Sequence, residues 1–240
     1  MNKTIDDLQS IIDNSENIVF FGGAGVSTES GIPDFRSADG LYHQHYQYPP
    51  EEVVSHDFFW AHTAAFYAFY KERMLYPEAQ PNPAHKALAA LERAGRLKAV
   101  ITQNIDGLHQ MAGSREVLEL HGSVHRNFCT QCGRFFELAY ILDADGVPVC
   151  PCGGIIKPDV VLYGEGLDQD ILEQSIRYIQ AADVLLVGGT SLNVYPAAGL
   201  LRYFGGRHLV LINKTETPAD SAADIVIHAP IGAVLEEIQT

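Results

Sequence analysis

The sequence predicts an α/β fold in which a doubly wound parallel sheet is interrupted by two insertions. Short continuous apolar runs, each closed by glycine or a polar turn, recur along the chain as buried parallel strands do. Segments with helical spacing of apolar residues lie between them, and that alternation builds a sheet with helices on both faces. The 240 residues suffice for one large domain carrying a smaller insert.

Residues 6–15 read as a helix with Leu8, Ile11 and Ile12 on one face, and 18–21 (IVFF) as a buried strand running into glycines. After a glycine loop and small residues able to start a helix, 56–75 form an aromatic-rich helical segment. A helix over 84–94 stops at Gly95, and a strand over 97–101 leads into the polar turn TQNIDGLHQMAG. Residues 117–120 make a short strand ending at His121. Residues 127–157 differ in character, with turns, short apolar runs and all four cysteines. The pattern then resumes: strand 160–163, helix 168–180, strand 183–188, helix 195–204 and strands 208–213 and 225–228.

Hydrophobic residues make up 47% of the chain and charged residues 19%, which supports a sizeable core and argues against disorder. Sixteen basic against thirty acidic residues give a formal charge of -14. Such a surface does not coat nucleic-acid phosphates, which need clustered Lys and Arg; it could receive a basic peptide, or serve solubility alone. The N-terminus lacks a secretory pattern and no apolar stretch reaches membrane-spanning length. The expectation is therefore a cytoplasmic protein with no nucleic-acid or membrane partner.

Cys129, Cys132, Cys150 and Cys152 fall within 24 residues. A disulfide framework suits small secreted domains, whereas paired thiolates at short spacing in an intracellular chain favour zinc, which takes four tetrahedral ligands. The second pair is a tight CxC stiffened by Pro151, so a three-cysteine site with another ligand stays open as an alternative.

Strand, then GGAGVS, is the context in which a glycine loop can approach a pyrophosphate. Alone, the pattern is shared with ordinary loops. Ser27–Thr28 replaces the third glycine of GxGxxG, and the acidic residue that grips the ribose in dehydrogenases is missing at its usual distance. A nucleotide here is held differently from a redox cofactor.

Taken together, GAGVSTESGIPDFRSADGLY, TQNIDGLH, LHGS, the CxxC…CxC segment, KPDVVLYGE, GTSLNVYPA and LINK resemble the sirtuins, in that family's order across about residues 18–231. The resemblance implies an inverted Rossmann domain (1–36, 81–126 and 158–240) beside a smaller domain made of a helical insertion (37–80) and a zinc module (127–157). It also implies an NAD-dependent protein-lysine deacylase that moves the acyl group to ADP-ribose and releases nicotinamide. Mono-ADP-ribosyl transfer is the competing reading.

Residue roles follow from the same resemblance. His121 is the general base, a task suited to imidazole near neutral pH, and Asn104 positions the ribose and a water. Ala24, Thr28, Phe35, Arg36, Gln103, Ile105, Asp106, Thr190, Ser191, Asn213 and Ile231 complete the NAD site, with Phe35 shielding the reactive carbon. Val160, Val161, Gly164 and Glu165, with Leu192, Asn193 and Val194, sandwich an acyl-lysine peptide as an added strand. The cysteines hold structural zinc. Tyr70 and Arg73, one helical turn apart, match a Tyr-x-x-Arg pair that could grip an acidic acyl group; the same stretch also reads as a plain amphipathic helix.

Overall fold

The computed structural model describes residues 2–35, 40 and 48–239. Nine strands occur among them: β1 (Ile18–Gly22), β2 (Leu97–Thr102), β3 (Val117–Glu119), β4 (Gly122–Cys129), β5 (Phe135–Phe136), β6 (Ile156–Val160), β7 (Val184–Gly188), β8 (His208–Ile212) and β9 (Ile225–Ile227). Six form one sheet in the order β3-β2-β1-β7-β8-β9, every pairing parallel. The order reverses between β1 and β7. Their carboxyl ends therefore diverge into the crevice where open α/β sheets bind ligands.

Both sheet faces are covered, which is why β1 and β7 are buried at every residue. Helices Asn2–Asp13, Pro83–Arg93 and Ile231–Glu236 cover one face through Leu8, Ile12, Leu88, Leu91 and Leu235. Helix Gln169–Ala181 and the 3-10 segment Ala197–Tyr203 cover the other through Ile179 and Leu200. Helix Pro83–Arg93 starts sharply. Pro83 fits its first position, the Asn82 side chain accepts from the Ala84 N–H at 2.9 Å, and the Asn82 N–H donates back to His85 Nδ1 at 3.3 Å.

A second core gathers Phe58, Phe59, Phe66, Tyr67 and Tyr70 against Val124, Phe136, Ile141, Ile156, Val160 and Leu162. The aromatic-rich segment is two helices, His56–Ala61 and Thr63–Arg73, broken at His62 where the backbone leaves helical geometry. Their rings interlock: Phe59 meets Phe66 edge-on at 5.0 Å, and Phe66 stacks on Tyr70 at 5.4 Å. The Tyr67 hydroxyl donates to the Ile156 carbonyl and ties this pair to β6.

Three expectations differ from the structure. The strand expected over 160–163 lies instead at Ile156–Val160, and it pairs antiparallel with β4 in a separate sheet ordered β5-β4-β6. Its apolar residues look alike whichever sheet they join. The glycine loop continues as two 3-10 turns, Ala24–Val26 and Thr28–Ser30, closed by Gly31 in the left-handed region, and starts no α-helix. Where a helix is expected over 195–204, Ala197–Tyr203 forms a 3-10 segment in place of an α-helix.

Candidate functional site

Gly25 explains why the loop after β1 is glycine-rich. A Cβ on Gly25 would lie 2.8 Å from both the Cα and the carbonyl oxygen of Gly189, backbone that cannot step aside. The Gly25 N–H donates to that carbonyl at 2.8 Å, so the loops after β1 and β7 are laced at the point where the strand order reverses. This close approach is between two protein segments, in addition to any approach to a ligand.

Below the laced loops opens a cavity of about 880 Å³, ample for a dinucleotide together with an extended segment. Ala24, Thr28, Phe35, Gln103, Asn104, Ile105, Asp106, His121, Thr190, Ser191, Asn213 and Ile231 line it, as do Val160, Val161, Gly164, Glu165, Asn193 and Val194. Leu192 does not: its side chain packs into the core beneath the sheet, with φ 56°. Arg36 lies outside the described residues. Of the Tyr-x-x-Arg pair, Arg73 lines the cavity, but Tyr70 is wholly buried in the aromatic core. The two side chains do not face one site.

His121 follows β3, and its Nδ1 lies 2.9 Å from the Gln103 carbonyl oxygen. A carbonyl only accepts, so Nδ1 carries the proton and Nε2 keeps its lone pair on the cavity side. Burial lowers the His121 pKa, with the Gln103 carbonyl opposing in part, so the ring is neutral at pH 7. Nearby, Gln103 Nε2 donates to Thr190 Oγ1 at 3.1 Å, and the Gln103 N–H donates to the Gly22 carbonyl.

A buried polar chain backs the turn after β2. Ser27 Oγ donates to Asp106 Oδ2 at 2.6 Å and accepts from Asn104 Nδ2 at 3.0 Å, while His85 Nε2 lies 3.4 Å from the same oxygen. Asp106 Oδ1 accepts from the Leu108 N–H at 2.9 Å, and the Asp106 carbonyl faces His125 Nε2 at 3.1 Å. Ser27 thus fixes the carboxylate and the amide that the sequence placed in the site. Sequence reasoning missed Ser27, Asn82 and His85. Ser27 stood inside the glycine motif as a replacement for glycine, and no local pattern connects it to residues 58 to 79 positions away.

The cysteines converge from two knuckles, and all four sulfurs lie within 4.8 Å of one another. Cys129 and Cys152 approach to 3.4 Å and Cys132 and Cys150 to 3.7 Å, close to the spacing of ligands about 2.3 Å from one tetrahedral ion. The Cys132 and Gln131 amides point at Cys129 Sγ, and the former leads in lowering its pKa to about 6. The Gly154 amide favours ionisation of Cys152 as well, but the neighbouring thiols outweigh it and push Cys152 up to about 12. Four crowded sulfurs ionise together only around a cation. The tight CxC loop does not prevent this, because the Cys150 N–H bonds the Gly154 carbonyl and the Gly153 N–H bonds the Cys150 carbonyl. Four thiolates fit zinc and leave no open position for water, so the role is structural.

Fold and site together define a class: a Rossmann-like α/β protein whose cleft, at the strand-order reversal, is shared with a cysteine-bearing module. The chain belongs to the Sir2 family, whose model matches residues 23–196. It is 57% identical over 238 residues to the NAD-dependent protein deacetylase of Clostridium acetobutylicum, covering 98% of this chain and 97% of that one. It is 58% identical to the NAD-dependent protein deacetylase of Clostridium perfringens, covering 99% of each. Among solved structures it resembles a Sir2 variant with a deacetylated p53 peptide and 3′-O-acetyl ADP ribose (TM-score 0.89, 40% identity, 96% and 95% covered). It also resembles a Sir2–p53 peptide–NAD complex (TM-score 0.85, 40% identity, 96% and 95% covered).

Proposed function

We propose that this cleft carries out NAD-dependent deacylation of protein lysine side chains, with transfer of the acyl group to ADP-ribose and release of nicotinamide. The observation that carries the reading is His121 at the cavity wall, its Nδ1 held by the Gln103 carbonyl so that Nε2 keeps its lone pair, in a cavity lined by both the nucleotide loops and the 160–165 segment. NAD supplies an electrophilic ribose carbon when nicotinamide leaves. The chain's residues do the rest. Once the acyl oxygen has bonded to that carbon in place of nicotinamide, His121 Nε2 takes a proton from a ribose hydroxyl, whose oxygen attacks the acyl carbon. The bond from the acyl carbon to the lysine nitrogen breaks and the free amine leaves. A water opens the link to the ribose carbon, so that the acyl group stays on the hydroxyl oxygen. Asp106, oriented by Ser27 and the Leu108 amide, accepts from the nicotinamide amide, and Asn104, steered by Ser27, positions the ribose. Phe35 at the cavity wall excludes water from the reactive carbon.

The seven peptide-binding positions bring the acyl-lysine in as an added strand. We assign residues 1–36, 81–126 and 158–240 to the nucleotide domain, with 37–80 and 127–157 as the small domain. Zinc in the four thiolates would hold the small domain together. Among the described residues no helix is long and apolar enough to cross a membrane. We place the reaction in the cytoplasm, where thiols stay reduced and available to metal.

Incubation with NAD and acetyl-, succinyl- and longer-acyl-lysine peptides, read by mass spectrometry, tests the function. One O-acyl-ADP-ribose should form per lysine freed. Its absence with every peptide, or its replacement by ADP-ribosylated protein, would overturn the reading.

A further inference from the structure

The segment that follows β6 is folded around an ion pair between Lys157 and Glu165. Lys157, the second residue of β6, turns its ammonium toward the chain ahead of it. Nζ donates to Glu165 Oε2 at 3.1 Å, to the Val160 carbonyl at 3.2 Å and to the Pro158 carbonyl at 3.4 Å, which uses all three of its protons. It also lies 5.9 Å from the centre of the Phe59 ring. Both side chains of the pair are largely buried, each 21% exposed. Glu165 Oε2 accepts in addition from the Leu162 N–H at 2.9 Å. Although Glu165 lines the cavity, its carboxylate is committed inward.

This clamp decides which backbone groups of 160–165 remain for another strand. The Val161 N–H goes to the His121 carbonyl, the Tyr163 N–H to the Val54 carbonyl, and the Tyr163 carbonyl receives the His56 N–H. Lys157 occupies the Val160 carbonyl, and Glu165 occupies the Leu162 N–H. The Val161 carbonyl and both backbone groups of Gly164 (φ +91°) take no hydrogen bond from the described residues. Two unused carbonyls and one amide, from Val161 and Gly164 at the cavity wall, are available to pair with an added strand.

We propose that Lys157 is a positioning residue for the acyl-lysine peptide: with Glu165 it fixes the 160–165 backbone so that the Val161 carbonyl and the Gly164 amide and carbonyl present one register to the substrate strand. The inference rests on the deacylase reading above, because the peptide is that reading's substrate. The ammonium touches no reacting atom. Its loss weakens peptide binding and leaves the nucleotide side of the cleft, built on β1, β2 and β7, as it was.

Lys157→Met, Lys157→Arg and wild type are compared by fluorescence anisotropy with a fluorescein-labelled acetyl-lysine peptide and by steady-state kinetics, with zinc content and thermal midpoint recorded. For Lys157→Met the peptide Kd and KM should rise about tenfold, equivalent to about 1.4 kcal/mol, while the KM for NAD stays within about twofold. Lys157→Arg, which still donates to Glu165 and to the Val160 carbonyl, should recover most of the affinity. If Lys157→Met does not fold, Lys157→Met with Glu165→Gln, which leaves no lone buried charge, is measured in its place. Failure of both to fold assigns the pair to stability alone and overturns the proposal. So does peptide binding equal to wild type, or an equal rise in the KM for NAD. A wild-type protein that binds no acetyl-lysine peptide overturns the function reading as well, so the two failures are distinct.

Discussion

His109 offers a prediction whose size can be worked from the structure. It packs edge-on against His85 at 4.7 Å and tilted against Phe20 at 6.0 Å, and neither of its ring nitrogens has a hydrogen-bond partner among the described residues. Burial pushes its pKa well below the usual 6.5, and the neighbouring His85 adds to the effect. Burial likewise lowers His85 to about 4, opposed in part by the Asp106 carboxylate. In the unfolded chain each ring takes up a proton near pH 6.5, whereas the folded chain refuses it down to about pH 4 for His85. Stability from these rings is thus complete above pH 6.5 and lost as the pH falls toward the folded pKa, by about 1.4 kcal/mol per pH unit for each ring. Between pH 7 and pH 5 that amounts to about 2 kcal/mol per histidine, a large fraction of the stability of an ordinary domain. His109→Phe keeps an aromatic ring between Phe20 and His85 and removes one such group. Urea unfolding followed by circular dichroism should show the variant gaining on wild type, by up to about 2 kcal/mol, when the pH is lowered from 7 to 5. A gap between the two proteins that is the same at both pH values would refute the reasoning, since only the histidine's proton uptake distinguishes them.

Gly25→Ala should force the loops after β1 and β7 apart, costing about 1–3 kcal/mol in thermal or urea unfolding and raising the KM for NAD at least about tenfold; an unchanged KM would show that the lacing does not shape the nucleotide site. For His121 the base must be unprotonated, so kcat/KM for NAD should fall as the pH drops through a folded pKa below 6.5. A pH–rate profile with its acid limb centred above 6.5 would contradict the burial argument, and His121→Ala should lower turnover by about 10²–10⁴. Metal analysis should find one zinc per chain, and stripping it with a chelator should abolish activity and lower the thermal midpoint. Full activity with a tenth of that metal would remove the structural role.

Much of this site was legible because its chemistry is local. The cysteine pairs favour a metal by their short spacing in a chain read as intracellular, and Gly25 stands in the loop after a strand where a side chain does not fit. What was missed is joined across distance. Ser27 reaches Asp106 and Asn104, and Lys157 closes back on Glu165, through hydrogen bonds that leave no period in the sequence.

The sequence by itself determined the six apolar runs that make a parallel sheet and the four cysteines that meet, because burial and ligand type are written in residue identity; the residues expected at the cleft came from its resemblance to a family. Only the tertiary structure decided where partners lie. It moved the strand at Ile156–Val160 into an antiparallel sheet, sent Tyr70 into the aromatic core and turned the Glu165 carboxylate inward to Lys157. An apolar run reports that it is buried and not against what, and a charged side chain eight residues away finds its partner only when the chain has closed.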